Sequence, residues 1–200
     1  MALLESPVFS LQTEGTPLPC RAVFSYEFET VVRLLFFLKR ESDQAVLRYS
    51  AMRLAGIMEK AQGNTLLVSV PRSPSGLREN GFDQGALLAA QTVRLLNAPL
   101  SRPYDASRYF YASALSARIF TREQKKLTAE QRTVNRQKSL YIRPLYRPKK
   151  NIRRVVIVDD VITTGSSVLA CAKHLRRLYP EAKLSAISLA AVPGLKRRSL

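Results

Sequence analysis

Cysteine is almost missing from this 200-residue sequence: Cys20 and Cys171 are its two thiols, far apart and outside any CxxC pair. That excludes a disulfide framework and offers no structural zinc motif, so no zinc is expected and both thiols read as inert. Long apolar runs are missing as well. The longest, VVRLLFFL at 31–38, is broken by Arg33 and falls far short of the ~20 residues that cross a bilayer, so no membrane span is expected. The opening MALLESPVFS carries Glu5 and no basic start before an apolar stretch. It is unlike a secretory signal, and the expected compartment is the cytoplasm. No Gly-Lys-Ser or Gly-Lys-Thr occurs, so the Walker pattern of nucleoside triphosphate hydrolysis is not indicated.

Acidic residues are scarce: 15 Asp and Glu face 32 Lys and Arg, a net charge of +17. The imbalance is uneven. Residues 1–100 hold 10 basic and 9 acidic side chains, whereas residues 101–200 hold 22 and 6. Nearly all the excess charge therefore sits in the second half. Such a surface favours an anionic partner, either a polyphosphate or a nucleic acid, although a merely solubilising surface has the same composition.

What is present fits one soluble domain, with 46% hydrophobic residues and strands alternating with helices. EFETVVRLLFFLKR (27–40) and DQAVLRYSAMRLAGIMEKAQ (43–62) place apolar residues three and four apart and predict two amphipathic helices. TLLVSVP (65–71) predicts a strand and QGALLAAQTVRLLN (84–97) a helix. RYFYASAL (108–115) predicts one strand, TAEQRTVNRQ (128–137) a short helix, and SLYIR (139–143) another strand. After a basic, proline-bracketed connector come the strand RVVIVDD, a helix from Ser166 to about Leu178, and a last strand in LSAISLAAV (184–192). This alternation predicts an α/β fold with a largely parallel central sheet flanked by helices.

Within it, VVIVDDVITTGSS (155–167) stands out. Val155 to Val158 read as a central strand buried on both faces, which puts Asp159 and Asp160 at its carboxyl end, where open α/β sheets bind ligands. In the loop that follows, Gly165 lets a backbone approach closely, Thr163, Thr164, Ser166 and Ser167 supply hydroxyls, and the next helix offers its N-terminus to a phosphate. Paired acids beside such a loop suit the hydroxyls of a ribose carrying that phosphate. Each feature alone has a plainer use, as exposed acids or as helix caps; their combination in this order points to a ligand.

The same segment resembles the phosphoribosyl-pyrophosphate (PRPP) signature of the type I phosphoribosyltransferases. The resemblance implies that Asp159 and Asp160 contact the ribose hydroxyls of PRPP and that Val161 and Thr163 to Ser167 belong to the loop holding its 5′-phosphate. VSVPRSPSGLRENGFDQGALLA (68–89) and RIFTREQKKLTAEQRTVNRQKSLYI (118–142) are similar to segments of the ComF competence-protein branch, as is the stretch from Tyr26 to Lys39. Asn80 stands where that branch has arginine, Asp83 where it has asparagine, and the cysteine cluster of its zinc module is not seen. The expected organisation is an N-terminal segment, 1–23, without that module, followed by a phosphoribosyltransferase-like domain, 24–200.

By this resemblance Arg72 lies in the loop that binds pyrophosphate, and Arg118, Lys125 and Lys126 lie in a basic lid over 115–127, expected to be mobile without ligand. Asp159, Asp160 and Arg118 are the catalytic candidates. Magnesium arrives with PRPP, reached by Asp159 or Asp160 directly or through water. The partners implied are PRPP or another phosphorylated ribose, single-stranded DNA or the competence machinery, and a second copy of the chain. No residue specifies a purine or a pyrimidine as acceptor. Across 118–154, 13 basic residues face Glu123 and Glu130; of these Lys149, Lys150, Arg153 and Arg154, on the connector, are assigned to a nucleic-acid face. His174 falls opposite the buried stripe Val168, Cys171, Ala172, Leu175 and Leu178, which predicts a surface histidine rather than a general base. Tyr109, Phe110 and Tyr111 read as core and face residues of a strand rather than a stacking platform.

Overall fold

The described residues form thirteen elements, most of them the ones these patterns predict. The computed structural model describes residues 7–13, 15–40, 43–58, 63–98, 108–118 and 139–194. The chain runs β1 (Val8–Leu11), β2 (Leu18–Ser25), α1 (Glu29–Arg40), α2 (Gln44–Ile57), β3 (Thr65–Ser69), α3 (Pro74–Asn80) and α4 (Gln84–Leu96). It continues through β4 (Tyr109–Tyr111), β5 (Leu115–Ala117), β6 (Leu140–Ile142), β7 (Arg154–Ile162), α5 (Ser166–Leu178) and β8 (Lys183–Ala191). Six strands form one sheet in the order β1-β2-β8-β7-β3-β4. Every neighbouring pair is parallel except β1 and β2. The remaining strands, β5 and β6, form a separate antiparallel pair. This is the expected α/β architecture.

The strand β7 shows why the apolar run 155–158 is continuous. Successive side chains of a strand face opposite ways, so Val155 and Ile157 pack with Val168, Cys171 and Leu175 of α5. Val156 and Val158 pack with Leu35, Leu54 and Leu88 from α1, α2 and α4. All four β7 side chains are completely buried. Each contributes on the order of 1.5–3 kcal/mol of gross hydrophobic stabilisation, which fixes the strand that carries the acids.

Local chemistry sets the helix starts. Asp43 caps α2, its Oδ1 accepting the Ala45 and Val46 N–H groups at 2.7 and 3.2 Å. Ser73 accepts the Gly76 N–H at 3.2 Å, Pro74 opens α3, and Gly81 ends it at φ 74°, a left-handed conformation that favours glycine.

Several boundaries differ from expectation. The strand read over 108–115 is two: β4 lies on the main sheet, and after Ala112–Ala114 the chain leaves it to pair as β5. β7 does not stop at Asp160 but runs on to Ile162, with Asp159 paired to Ser188 and Val161 to Ala190. The helix read to residue 62 ends at Ile57, and residues 59–62 lie outside the described part. The helix expected over 128–137 lies outside it too. β1, β2 and α3 had no sequence-level expectation. Residues 23 and 24, where the domain was expected to begin, fall inside β2. Pro19 occupies the start of that strand, before pairing with β8 begins at Cys20, a position where a missing N–H does little harm.

Both cysteines are buried. Burial pushes the Cys20 thiol up to about 12, against the weaker opposing pull of its Leu11 backbone hydrogen bond, so it stays protonated and unreactive. Among the described residues, no helix is long and apolar enough to cross a membrane.

Candidate functional site

A cleft of about 400 Å³ opens beyond the carboxyl ends of β3 and β7. Asp159 to Val168 form one wall, and the turn from Val70 to Ser73 with Gly76 forms another. Asp83, Gln84 and Gly85 at the start of α4, Lys39 of α1 with Tyr26 ahead of that helix, and Ala117, Ser139 and Leu140 of the β5–β6 region complete the lining.

The two acids are held by the backbone that carries them. Asp159 Oδ1 accepts the N–H of Asp160 at 3.0 Å, and Asp160 Oδ1 accepts the N–H of Val161 at 2.7 Å. The other oxygen of Asp160, Oδ2, lies 3.0 Å from Lys39 Nζ, with side-chain exposures of 23% and 38% respectively. One of two adjacent negative charges is thus offset by an ammonium from the last turn of α1.

Beyond the acids the chain turns sharply into α5. Gly165 adopts φ 77° and ψ −5° at the N-cap position, where it has no side chain to cap the helix. The Thr164 and Ser166 hydroxyls lie 3.0 Å apart, and the Ser166 N–H points to Thr164 Oγ1 at 3.4 Å. Thr163 and Thr164 are exposed to the cleft. A first helical turn with its dipole directed at this opening is suited to an anion. Glycine is required here for a second reason: a Cβ at 165 would stand 2.5 Å from Leu11 Cδ2. β1 therefore backs the loop.

The structure brings together Arg72, Asp159, Asp160, Val161, Thr163, Thr164, Gly165, Ser166 and Ser167. Arg72 folds over the first turn of α3, where a Cβ on Gly76 would meet its Nε at 2.7 Å. Arg118 is not among the lining residues. It is exposed, its N–H bonds the Ser139 carbonyl at 2.8 Å and its guanidinium lies over the Tyr141 ring, 5.7 Å from the centroid. Lys125, with Lys126 and the rest of the expected lid from residue 119 onward, lies outside the described residues. Lys149, Lys150, Arg153 and Arg154 sit at the other end of the sheet, around the start of β7. Arg154 and Asp160 are six positions apart on one strand, which is roughly 20 Å at ~3.3 Å per residue.

Sequence reasoning gave no role to Lys39, Tyr26 or Gln84, all of which line the cleft. Asp83 accepts the Ala86 N–H at 3.0 Å as the N-cap of α4, a task that Asp and Asn perform equally well, so this departure from the ComF pattern preserves the local structure. The Asn80 side chain is outside the described part. His174 is half-buried against the Leu140 backbone rather than on the open surface. None of Tyr109, Phe110 and Tyr111 lines the cleft; Tyr109 is buried and the Tyr111 hydroxyl meets Ser69 Oγ at 3.3 Å.

The cleft thus joins two carboxylates and a helix start at one edge of an α/β sheet. The sequence matches the phosphoribosyl transferase domain family at residues 83–199. The match takes in more than half of the chain, which belongs to this family. No curated protein matches it in sequence.

Among solved structures the chain is similar to the xanthine-guanine-hypoxanthine phosphoribosyltransferase of Helicobacter pylori, at 15% identity and a TM-score of 0.46, over 78% of this chain and 80% of that one. It is similar also to the hypoxanthine-guanine phosphoribosyltransferase of Bacillus anthracis, at 16% identity and a TM-score of 0.41, over 77% and 73%. The adenine phosphoribosyltransferase of Saccharomyces cerevisiae shares 15% identity and a TM-score of 0.40, over 94% and 85%.

Proposed function

We propose that the chain binds PRPP in this cleft and transfers its phosphoribosyl group, in a magnesium-dependent reaction, to a nucleophilic acceptor. The observation that carries this reading is that the two carboxylates of β7 and the first turn of α5, begun at Gly165, open on one cleft. In this reading Asp159 and Asp160 accept hydrogen bonds from the ribose hydroxyls. The 5′-phosphate occupies the loop from Thr163 to Ser167, with Val161 between the two subsites. Arg72 faces the pyrophosphate. Arg118 and Lys125 are the further cations assigned to the pyrophosphate. The unit responsible is residues 24–200, with β1 and the start of β2 completing the edge of its sheet.

Transfer forms a bond from the acceptor's lone pair to the sugar's C1 while the C1–oxygen bond to pyrophosphate breaks, the electron pair leaving with pyrophosphate. Positive charge grows on the sugar and negative charge on the leaving group. Cations fixed around the pyrophosphate lower the barrier to its departure, and the two acids orient the ring.

The donor set fits magnesium brought by the substrate. Asp160 is already paired with Lys39, and among the described residues no group of three or more His, Cys, Asp or Glu side chains gathers. Magnesium takes most of its shell from water and substrate oxygens in such sites, with one or two carboxylates; here Asp159 and Asp160 would hold it directly or through water. When bound, the ion offsets charge on the pyrophosphate.

The ComF-like segments at 68–89 and 118–142 support a finer reading, a ComF-type protein of the competence machinery, acting in the cytoplasm. A second observation favours contact with single-stranded nucleic acid. Lys149, Lys150 and Arg153 are exposed at the end of the sheet away from the cleft, beside the half-buried Arg154. This face would bind DNA through its phosphates while the cleft serves PRPP. Titration calorimetry with PRPP and magnesium tests the main reading. Saturable binding with wild type, absent from Asp159→Asn/Asp160→Asn, is expected; no heat at millimolar PRPP would overturn it.

A further inference from the structure

Lys39 contributes one contact that the mechanism above leaves unused. Its ammonium holds Asp160 Oδ2 at 3.0 Å while the Val161 N–H holds Oδ1 at 2.7 Å. Both oxygens of the carboxylate are thereby fixed, and each keeps a second lone pair for a ligand hydroxyl. The Lys39 backbone is anchored in turn: its carbonyl accepts a hydrogen bond from Gln84 Nε2 at 2.6 Å. Gln84 is 3% exposed and opens α4, next to its capping residue Asp83. The GFDQG segment therefore clamps the last turn of α1, and that turn delivers an ammonium to the strand with the paired acids.

We propose that Lys39 is the positioning residue of the ribose subsite: it orients Asp160 toward the sugar hydroxyls and offsets the charge of the adjacent acids, with Gln84 fixing Lys39 in turn. This rests on the PRPP reading of the cleft. The ion pair is partly exposed and so adds little to folding; its effect is on ligand discrimination. A carboxylate held at both oxygens presents its remaining lone pairs in one direction. A carboxylate free to rotate presents them in many, and recognition of a neutral hydroxyl suffers more than attraction of a distant phosphate.

The test compares ribose 5-phosphate with 2-deoxyribose 5-phosphate, which carry the same charge and differ by one hydroxyl, so that any general electrostatic effect of the substitution cancels in the ratio. Affinities are read by ligand-observed NMR. Wild type should prefer the ribose form by about tenfold, the scale of one hydrogen bond to a charged group. Lys39→Met should lose most of that preference, and Lys39→Arg, which restores a charged donor, should recover much of it. Both variants should melt within a few degrees of wild type. Gln84→Met should reduce the preference on its own but add nothing in the Lys39→Met background.

A preference that survives Lys39→Met intact overturns the proposal while leaving the PRPP reading standing. An effect of Gln84→Met that persists undiminished without Lys39 overturns the anchoring role of Gln84. Wild type indifferent to the 2-hydroxyl overturns the ribose assignment of the cleft, and the role of Lys39 with it.

Discussion

Alanine at position 165 should cost roughly 2–5 kcal/mol of stability from two separable sources. The first is the backbone: Gly165 sits at φ 77°, where a residue with a Cβ loses ~1–2 kcal/mol. The second is steric. The new methyl would lie 2.5 Å from Leu11 Cδ2 and 2.7 Å from Cδ1, and Leu11 is only 5% exposed, so relief requires movement of β1 or of the loop at ~1–3 kcal/mol. Leu11→Ala removes the obstructing carbons while leaving φ untouched. In a double-mutant cycle followed by urea unfolding, the steric part should vanish and appear as a favourable coupling of ~1–3 kcal/mol, with the backbone part remaining. Ribose 5-phosphate affinity should follow the same order, weakened in Gly165→Ala and partly restored in the double variant, because the loop sets the first turn of α5. A Gly165→Ala protein as stable as wild type would refute the reasoning. So would strictly additive energies, which would show that Leu11 does not shape the loop.

Asp159→Asn/Asp160→Asn should abolish PRPP binding yet shift stability by less than about 1 kcal/mol, since the broken Lys39 pair is partly solvated; an unfolded double variant, seen by circular dichroism, would make the acids structural. Changing Lys149, Lys150, Arg153 and Arg154 to Ser should lower the salt slope of single-stranded DNA binding by up to about 3 in fluorescence anisotropy while sparing PRPP. An unchanged slope would leave those charges as a solubilising surface. Burial, with Arg177 and Lys173 adding to it, holds the His174 imidazole below its ordinary 6.5 against the pull of the Leu140 carbonyl. The unfolded chain therefore takes up this proton first, and stability falls as pH drops below about 6.5. His174→Gln should reduce the melting-temperature loss between about pH 7.5 and 5.5, by an amount worth less than about 1 kcal/mol; identical losses in both proteins would contradict the assignment.

The parts of the fold legible in the sequence are those written locally. The run Val155 to Val158 is readable because burial on both faces demands four apolar residues in succession. The α5 boundary at Ser166 is readable from a glycine and hydroxyls before an amphipathic stripe. β2 was hidden by Pro17 and Pro19, residues that ordinarily argue against a strand; here Pro19 precedes the pairing with β8. α3 carries its own punctuation in Ser73, Pro74 and Gly81, but seven residues are too few for a helical period to show. The division of 108–115 at Ala112–Ala114 depends on where the sheet ends, which no local pattern records.

The site divides in the same way. Asp159, Asp160 and Thr163 to Ser167 share one short segment, and Arg72 follows the neighbouring strand. Lys39 meets Asp160 across more than a hundred residues of sequence; topology alone brings them together. Arg118 shows the converse, because its sequence position suggested the cleft while the Tyr141 ring beside it provides a nearer surface for the guanidinium.

The central claim is geometric, and a crystal structure of the chain with PRPP and magnesium tests it most directly. The account predicts the ribose hydroxyls on Asp159 and Asp160, the 5′-phosphate against the first turn of α5 beside Gly165, and the pyrophosphate toward Arg72. Density for PRPP on the basic connector instead, or in the cleft with the pyrophosphate in the α5 loop and the sugar away from the two acids, would contradict it.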